Sequence, residues 1–205
     1  MQIIEHRINS IEKLKKIPFN HGVEIDVRYH DDKLILHHDP FSHHREKIEY
    51  LEPFLEAYSL SGPLILNIKT EGIEQACIDL MQKHKIVNWF FLDLSMPYFI
   101  KYARAAKANQ IDGFGPDNLA TRFSEFEPIE YALSFKGMAN WLWVDYFTKY
   151  PVSDSKLSLL TTHFKLCLVS PELQGHTEST VRKLKKSTQS QPISAVCTKY
   201  PSLWK

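Results

Sequence analysis

"GVEIDVRYHDDKLILHHDP", residues 22–40, decides how this chain is read. Val23, Ile25 and Val27 alternate with Glu24, Asp26 and Arg28. That is the period of a β-strand, whose successive side chains face opposite ways. Glu24 and Asp26 therefore point to one face. The Asp31-Asp32 pair supplies a turn, and "KLILHHD" reads as a return strand that ends in His37, His38 and Asp39. Two ionised carboxylates this close repel each other unless a cation lies between them. Oxygen ligands suit a hard divalent ion, Mg2+ or Ca2+, better than zinc. Asn67 can add a neutral carbonyl ligand. A solvated strand edge is the alternative reading of the two acids.

The same kind of apolar run recurs about every 20 to 30 residues along the chain. The runs are "QIIEH" (2–6), "GVEIDVRYH" (22–30), "PLILNIKT" (63–70), "WFFLDLS" (89–95), "LATRFSEF" (119–126), "WLWVDYF" (141–147), "KLCLVS" (165–170) and "ISAVCTK" (193–199). Helical patterns lie between them, for example "GIEQACIDLMQKHK" and "MPYFIKYARAAKAN". Eight β/α units in 205 residues predict an α/β fold, a (β/α)8 TIM barrel, as a single domain over residues 1–205. A doubly wound open sheet is the alternative, but no glycine-rich loop follows any run, and the chain has only seven glycines.

Bulk properties exclude several function classes. The formal net charge is +1, from 25 basic and 24 acidic residues, so no nucleic acid is expected as a partner. The basic run "RKLKK" at 182–186 reads as a solvated helix face. Cys77, Cys167 and Cys197 sit in apolar contexts without zinc-finger spacing, which suggests buried free thiols in a reducing compartment. The N-terminus lacks the apolar stretch of a signal peptide, and no run approaches the ~18 apolar residues of a membrane span. The expectation is a soluble, cytoplasmic protein. The sequence does not determine its oligomeric state.

A barrel has one functional face, at the C-terminal ends of its strands. His6, Glu24, Asp26, Asn67, Lys69, Asp93, Arg122, Asp145 and Glu172 all fall there. His6 and His38 can exchange protons near neutral pH, and Lys69 can sit against a phosphate oxygen. Taken singly, each has a bland reading as a structural histidine or a surface lysine. Trp143, Tyr146 and Phe147 can stack on a substrate or pack on a neighbouring helix.

"EHRINS", "GVEIDVRYHDDKLILHHD" and "LILNIKT" together resemble the glycerophosphodiester phosphodiesterase family, which shares a superfamily with phosphatidylinositol-specific phospholipase C. That family carries His-Arg on its first strand, Glu-x-Asp on its second, a hairpin ending in His-Asp, and Glu-x-Lys on its third. A final Thr-Asp-x-Pro element is matched by Thr198-Lys199-Tyr200-Pro201. The resemblance implies a metal-dependent phosphodiesterase with a small-molecule phosphodiester substrate. His6 and His38 would be the catalytic acid–base pair. Glu24, Asp26 and Asn67 would hold the divalent metal, and Arg7 and Lys69 would bind phosphate. Arg122 and Trp143 complete the expected substrate-binding set.

The chain also departs from that pattern. Ile8 replaces the glycine that usually follows His-Arg, and a longer Glu-Asn-Thr element is compressed to Asn9-Ser10. Asn67 replaces the third acid. Only 28 residues separate His38 from Asn67, so the family's insertion is largely missing and an open mouth is expected. Two other functions stay open. One is a degenerate barrel that binds a phosphorylated ligand without cleaving it. The other is a different enzyme on the same barrel, such as a sugar-phosphate isomerase or an aldolase with Lys69 as its Schiff-base lysine.

Overall fold

The structure is a computed structural model that describes residues 1–40 and 48–205. Nine strands form one sheet: β1 (Gln2–Glu5), β2 (Gly22–His30), β3 (Lys33–Leu36), β4 (Leu64–Ile68), β5 (Trp89–Leu92), β6 (Ala120–Phe123), β7 (Trp141–Val144), β8 (Lys165–Val169) and β9 (Ala195–Thr198). The order β5-β4-β2-β1-β9-β8-β7-β6 runs through parallel neighbours, and a lone bridge from Phe91 to Leu119 joins its two ends. The result is a nearly closed eight-stranded parallel barrel. Strand β3 stands outside this circuit as the antiparallel return of a hairpin on β2.

Helices follow or separate the strands: α1 (Ile11–Leu14), α2 (Leu51–Glu56), α3 (Glu74–Lys83), α4 (Met96–Lys107), α5 (Ile129–Leu133), α6 (Asp154–Thr161), α7 (Glu178–Thr188) and α8 (Pro201–Trp204). Ser10 caps α1, its hydroxyl accepting from the Lys13 N–H. The run 182–186 lies in α7 with Arg182, Lys183 and Lys186 exposed and Leu184 buried, a solvated face as expected.

Alternation along each strand separates two apolar regions. Val23, Ile25 and Val27 of β2 and Leu64, Leu66 and Ile68 of β4 face outward against helices. Ile4, Ile65, Phe90, Trp141, Cys167 and Cys197 face inward and fill the lumen, where the Phe90 and Trp141 rings stack at 4.7 Å. The three cysteines are buried and free. Phe90→Ala would empty the centre of this packing. It is expected to cost about 3–5 kcal/mol, read as a lowered denaturation midpoint with an unchanged slope.

The hairpin explains an apparent displacement of the two acids. Glu24 and Asp26 lie in the middle of β2, not at its end. Yet the parallel pairing of β2 with β4 stops at Val27 opposite Ile68, and the rest of β2 continues beyond the barrel with β3. Asp31 and Asp32 both adopt positive φ, 46° and 59°, as a tight two-residue hairpin turn requires. Relative to the barrel wall, Glu24 and Asp26 are at the C-terminal mouth.

Candidate active site

A cavity of about 220 Å³ occupies that mouth, lined by His6, Arg7, His38, Asn67, Lys69, Asp93, Arg122, Trp143, Asp145 and Gln174 among others. Glu24 and Asp26 lie beneath it, fully buried. A larger open hollow of about 530 Å³ adjoins it between the loops after β6 and β7. Each carboxylate of that hollow has one oxygen engaged and the other buried without a hydrogen-bond partner. Glu125 accepts from the Thr148 hydroxyl and the Lys149 N–H, and Glu127 accepts from Arg122. The hollow also carries Lys149 and Lys156, while His6 and His38 belong to the smaller cavity.

Burying two acids side by side is costly, and neighbouring donors offset the cost. The Arg7 backbone N–H donates to Glu24 Oε2 and the Asn67 amide to Glu24 Oε1, each at 2.8 Å. Asn9 clamps Asp26 twice: its amide donates to Oδ2 at 2.8 Å, and its carbonyl accepts the Asp26 N–H at 2.9 Å. Lys69 Nζ lies 3.8 Å from Asp26 Oδ1, and Arg7 Nε lies 3.9 Å from Asp26 Oδ2. Burial, then the charge of Asp26, pushes Glu24 up to about 7.

The two imidazoles sit in different environments. His6 Nε2 is 3.7 Å from Glu24 Oε2, while its Nδ1 is buried without a partner. Burial, followed by the nearby Arg7, Lys199, His38 and Lys69, lowers His6 to about 3, so its ring is neutral at physiological pH. His38 Nδ1 donates to Asp39 Oδ1 at 2.8 Å, and its Nε2 accepts from the Arg7 guanidinium. The bond from His38 pulls Asp39 below the usual carboxylate range.

 The return strand itself stops at Leu36, so His37 and His38 both lie past its end rather than on opposite faces of it. The His37 N–H donates to the Asp26 carbonyl, and its Nδ1 turns to the Asp39 carbonyl, outside the cavity.

Across the mouth, Arg122 is held by three acids. It donates to Asp93 and Asp145, and to Glu127 at 3.0 Å. Lys69 Nζ lies 3.4 Å from Asp93 Oδ2, which joins this network to the buried acids. Burial raises Asp145 to about 6. Trp143 lines the cavity but is 6% exposed and packs in the lumen. Tyr146 meets His176 edge-on, and Phe147 packs near Phe126.

One mouth position is corrected by the structure. Glu172 does not line the cavity. It accepts from the Ser170 hydroxyl, from Thr198 Oγ1 at 2.6 Å and from the Lys199 N–H at 2.9 Å. Thr198 Oγ1 also accepts the Tyr200 N–H, which fixes the turn into α8. Sequence reasoning missed the double clamp of Asn9 on Asp26 and the place of Gln174, whose amide lies 3.4 Å from Asp145 Oδ1. Asn9 sits in the compressed element after His-Arg, which was its one signal.

A hard divalent ion needs several oxygen donors that converge. Among the described residues, no group of three or more His, Cys, Asp or Glu stands together as a metal site. Two acids and an amide do converge. Asp26 and Asn67 pair across β2 and β4, and Asp26 Oδ1 and Asn67 Oδ1 are both buried without a hydrogen-bond partner. Buried oxygens that accept no hydrogen bond, next to a second carboxylate, suit a hard cation.

The barrel and its mouth define the class: a TIM-barrel protein with a polar site at the C-terminal ends of its strands. Among the solved structures that share this fold are three glycerophosphodiester phosphodiesterases. The one from Agrobacterium tumefaciens has a TM-score of 0.68 at 12% identity, covering 99% of this chain and 98% of its own. The one from Thermotoga maritima has a TM-score of 0.68 at 17% identity, covering 98% and 95%. The one from Parabacteroides distasonis has a TM-score of 0.66 at 13% identity, covering 99% and 84%. No protein-family model matches the sequence, and no curated protein matches it.

Proposed function

We propose that the protein is a metal-dependent phosphodiesterase that hydrolyses a small glycerophosphodiester-like molecule to a phosphomonoester and an alcohol. The observation that carries this reading is the meeting of His6, His38, Arg7 and Lys69 around one cavity above two buried acids. Glu24, Asp26 and the Asn67 carbonyl would hold Mg2+ or Ca2+. Such an ion supplies charge that offsets the growing negative charge on the phosphoryl oxygens.

The chain's own groups divide the remaining work. Arg7 and Lys69 bind the phosphate. Binding draws the Arg7 guanidinium from His38 Nε2 and frees that nitrogen. Neutral His6 accepts the proton of the attacking hydroxyl. His38 Nε2, once freed, takes up a proton from solvent and passes it to the leaving alcohol as that P–O bond breaks. Where the attacking hydroxyl is the substrate's own, water then opens the cyclic phosphate to the monoester, with the two histidines in reversed roles. Among the described residues no helix is long and apolar enough to cross a membrane.

One observation favours a second reading, a barrel that binds a phosphorylated ligand without cleaving it. The Asn67 amide already donates to Glu24, which lowers the need for a cation. Hydrolysis of bis(p-nitrophenyl) phosphate, with and without Mg2+ or Ca2+, separates the two. Metal-stimulated release of p-nitrophenol is expected. No release with either ion, from a protein that still binds inorganic phosphate, would favour the binding-only barrel.

A further inference from the structure

Arg28 follows Asp26 by two residues and so leaves β2 on the same face. It stands just beyond the last parallel pair of β2 and β4, where the ladder ends. Its neighbours there are His38, past the end of β3, and Lys69, past the end of β4. The Arg28 guanidinium spans the two. Nε and Nη2 donate to the His38 carbonyl at 3.1 and 2.8 Å, and Nη1 donates to the Lys69 carbonyl at 3.1 Å. Ladder bonds hold the same two segments one step earlier: His37 N–H to the Asp26 carbonyl at 3.1 Å, and Lys69 N–H to the Val27 carbonyl at 2.9 Å. Arg28 continues the sheet's grip beyond the point where the strands stop.

We propose that Arg28 is a positioning residue that sets the separation of His38 and Lys69 across the mouth. It touches no reacting atom. Its effect on catalysis rests on the phosphodiesterase reading; its effect on the placement of His38 does not. The planar guanidinium presents several donors in a fixed fork, so one side chain can hold two carbonyls at a set distance. A lysine ammonium at the end of a flexible stem has the charge but not the fork. The spacing matters because a displacement of about 1 Å between a proton donor and the phosphate can cost ~100-fold in rate.

The test is a double-mutant cycle on kcat for bis(p-nitrophenyl) phosphate, using Arg28→Ala, Arg28→Lys, His38→Ala and the double variant Arg28→Ala/His38→Ala. Arg28→Ala is expected to lower kcat by about tenfold to a hundredfold, and Arg28→Lys to restore little of it. In the His38→Ala background the same change should cost clearly less than in the wild type, because one of the two groups it positions is gone and only the placement of Lys69 is still lost. Equal losses in both backgrounds, or full rescue by lysine, would overturn the proposal. A second readout needs no activity. In nitrogen NMR of the imidazoles, Arg28→Ala is expected to shift or broaden the His38 ring signals and leave those of His21 and His176 in place. An unmoved His38 would overturn the placement. Should the wild-type protein hydrolyse nothing, the functional reading fails and this spectrum still decides the role of Arg28.

Discussion

Replacing His38 with alanine is expected to lower kcat for phosphodiester hydrolysis by about 10² to 10⁴, or roughly 3 to 5.5 kcal/mol of barrier. His37→Ala is expected to change it little. The two residues are adjacent, yet the structure treats them differently. His38 lines the cavity, with Asp39 at Nδ1 and Arg7 at Nε2. His37 turns its Nδ1 to the Asp39 carbonyl, outside that cavity. His6→Ala should lose activity on the same scale as His38→Ala. Steady-state kinetics on the variants, with circular dichroism to establish folding, gives the comparison. If His37→Ala proves as damaging as His38→Ala, the proton-transfer role has been given to the wrong histidine.

Chelation, Glu24→Ala and Asp26→Ala are each expected to abolish activity while the fold survives. The ion's affinity should also depend on pH, with a sign fixed by Glu24. Burial first, and Asp26 second, raise this carboxyl to about 7 from an ordinary value of 4.5. Below pH 7 the metal-free protein therefore holds a proton on Glu24, and an entering cation must expel it. Affinity should rise with pH up to about 7 and level off above it. Titration calorimetry at pH 6 in two buffers of different ionisation enthalpy reads the released proton directly. Asn67→Asp adds a third negative charge and should tighten the ion in the absence of substrate. It need not raise the rate, because that charge also repels the phosphate. Equal affinity in Asn67→Asp and wild type would mean that Asn67 does not face the ion.

Much of the fold was legible in the residue pattern because barrel strands announce themselves by alternation. In β2 and β4 the outward residues Val23, Ile25, Val27, Leu64, Leu66 and Ile68 are apolar, and the inward set carries the unusual polar residues Glu24, Asp26 and Asn67. A period of two separates these sets without knowledge of the neighbours. The Asp31-Asp32 turn was equally local, since it needs only two residues that tolerate positive φ. The expected single domain, 1–205, rests on the same pattern.

Tertiary structure alone decided which polar residues are free to act. Glu172 and Arg122 each fall near the C-terminal end of a strand, like the others. Yet Glu172 turns to Ser170, Thr198 and Lys199 and leaves the cavity, whereas Arg122 lines it while paired with Asp93, Asp145 and Glu127. Apart from the local Ser170 and Glu127, these partners come from the ends of other strands, and hydrogen bonds across a barrel leave no periodic trace in the chain. The same holds for Asn9 on Asp26 and for Arg28 between His38 and Lys69. Sequence by itself determined the strands and the face each residue takes, because both follow from local backbone geometry. Closure of the barrel decided the partners, because only closure brings the ends of distant strands within hydrogen-bonding reach.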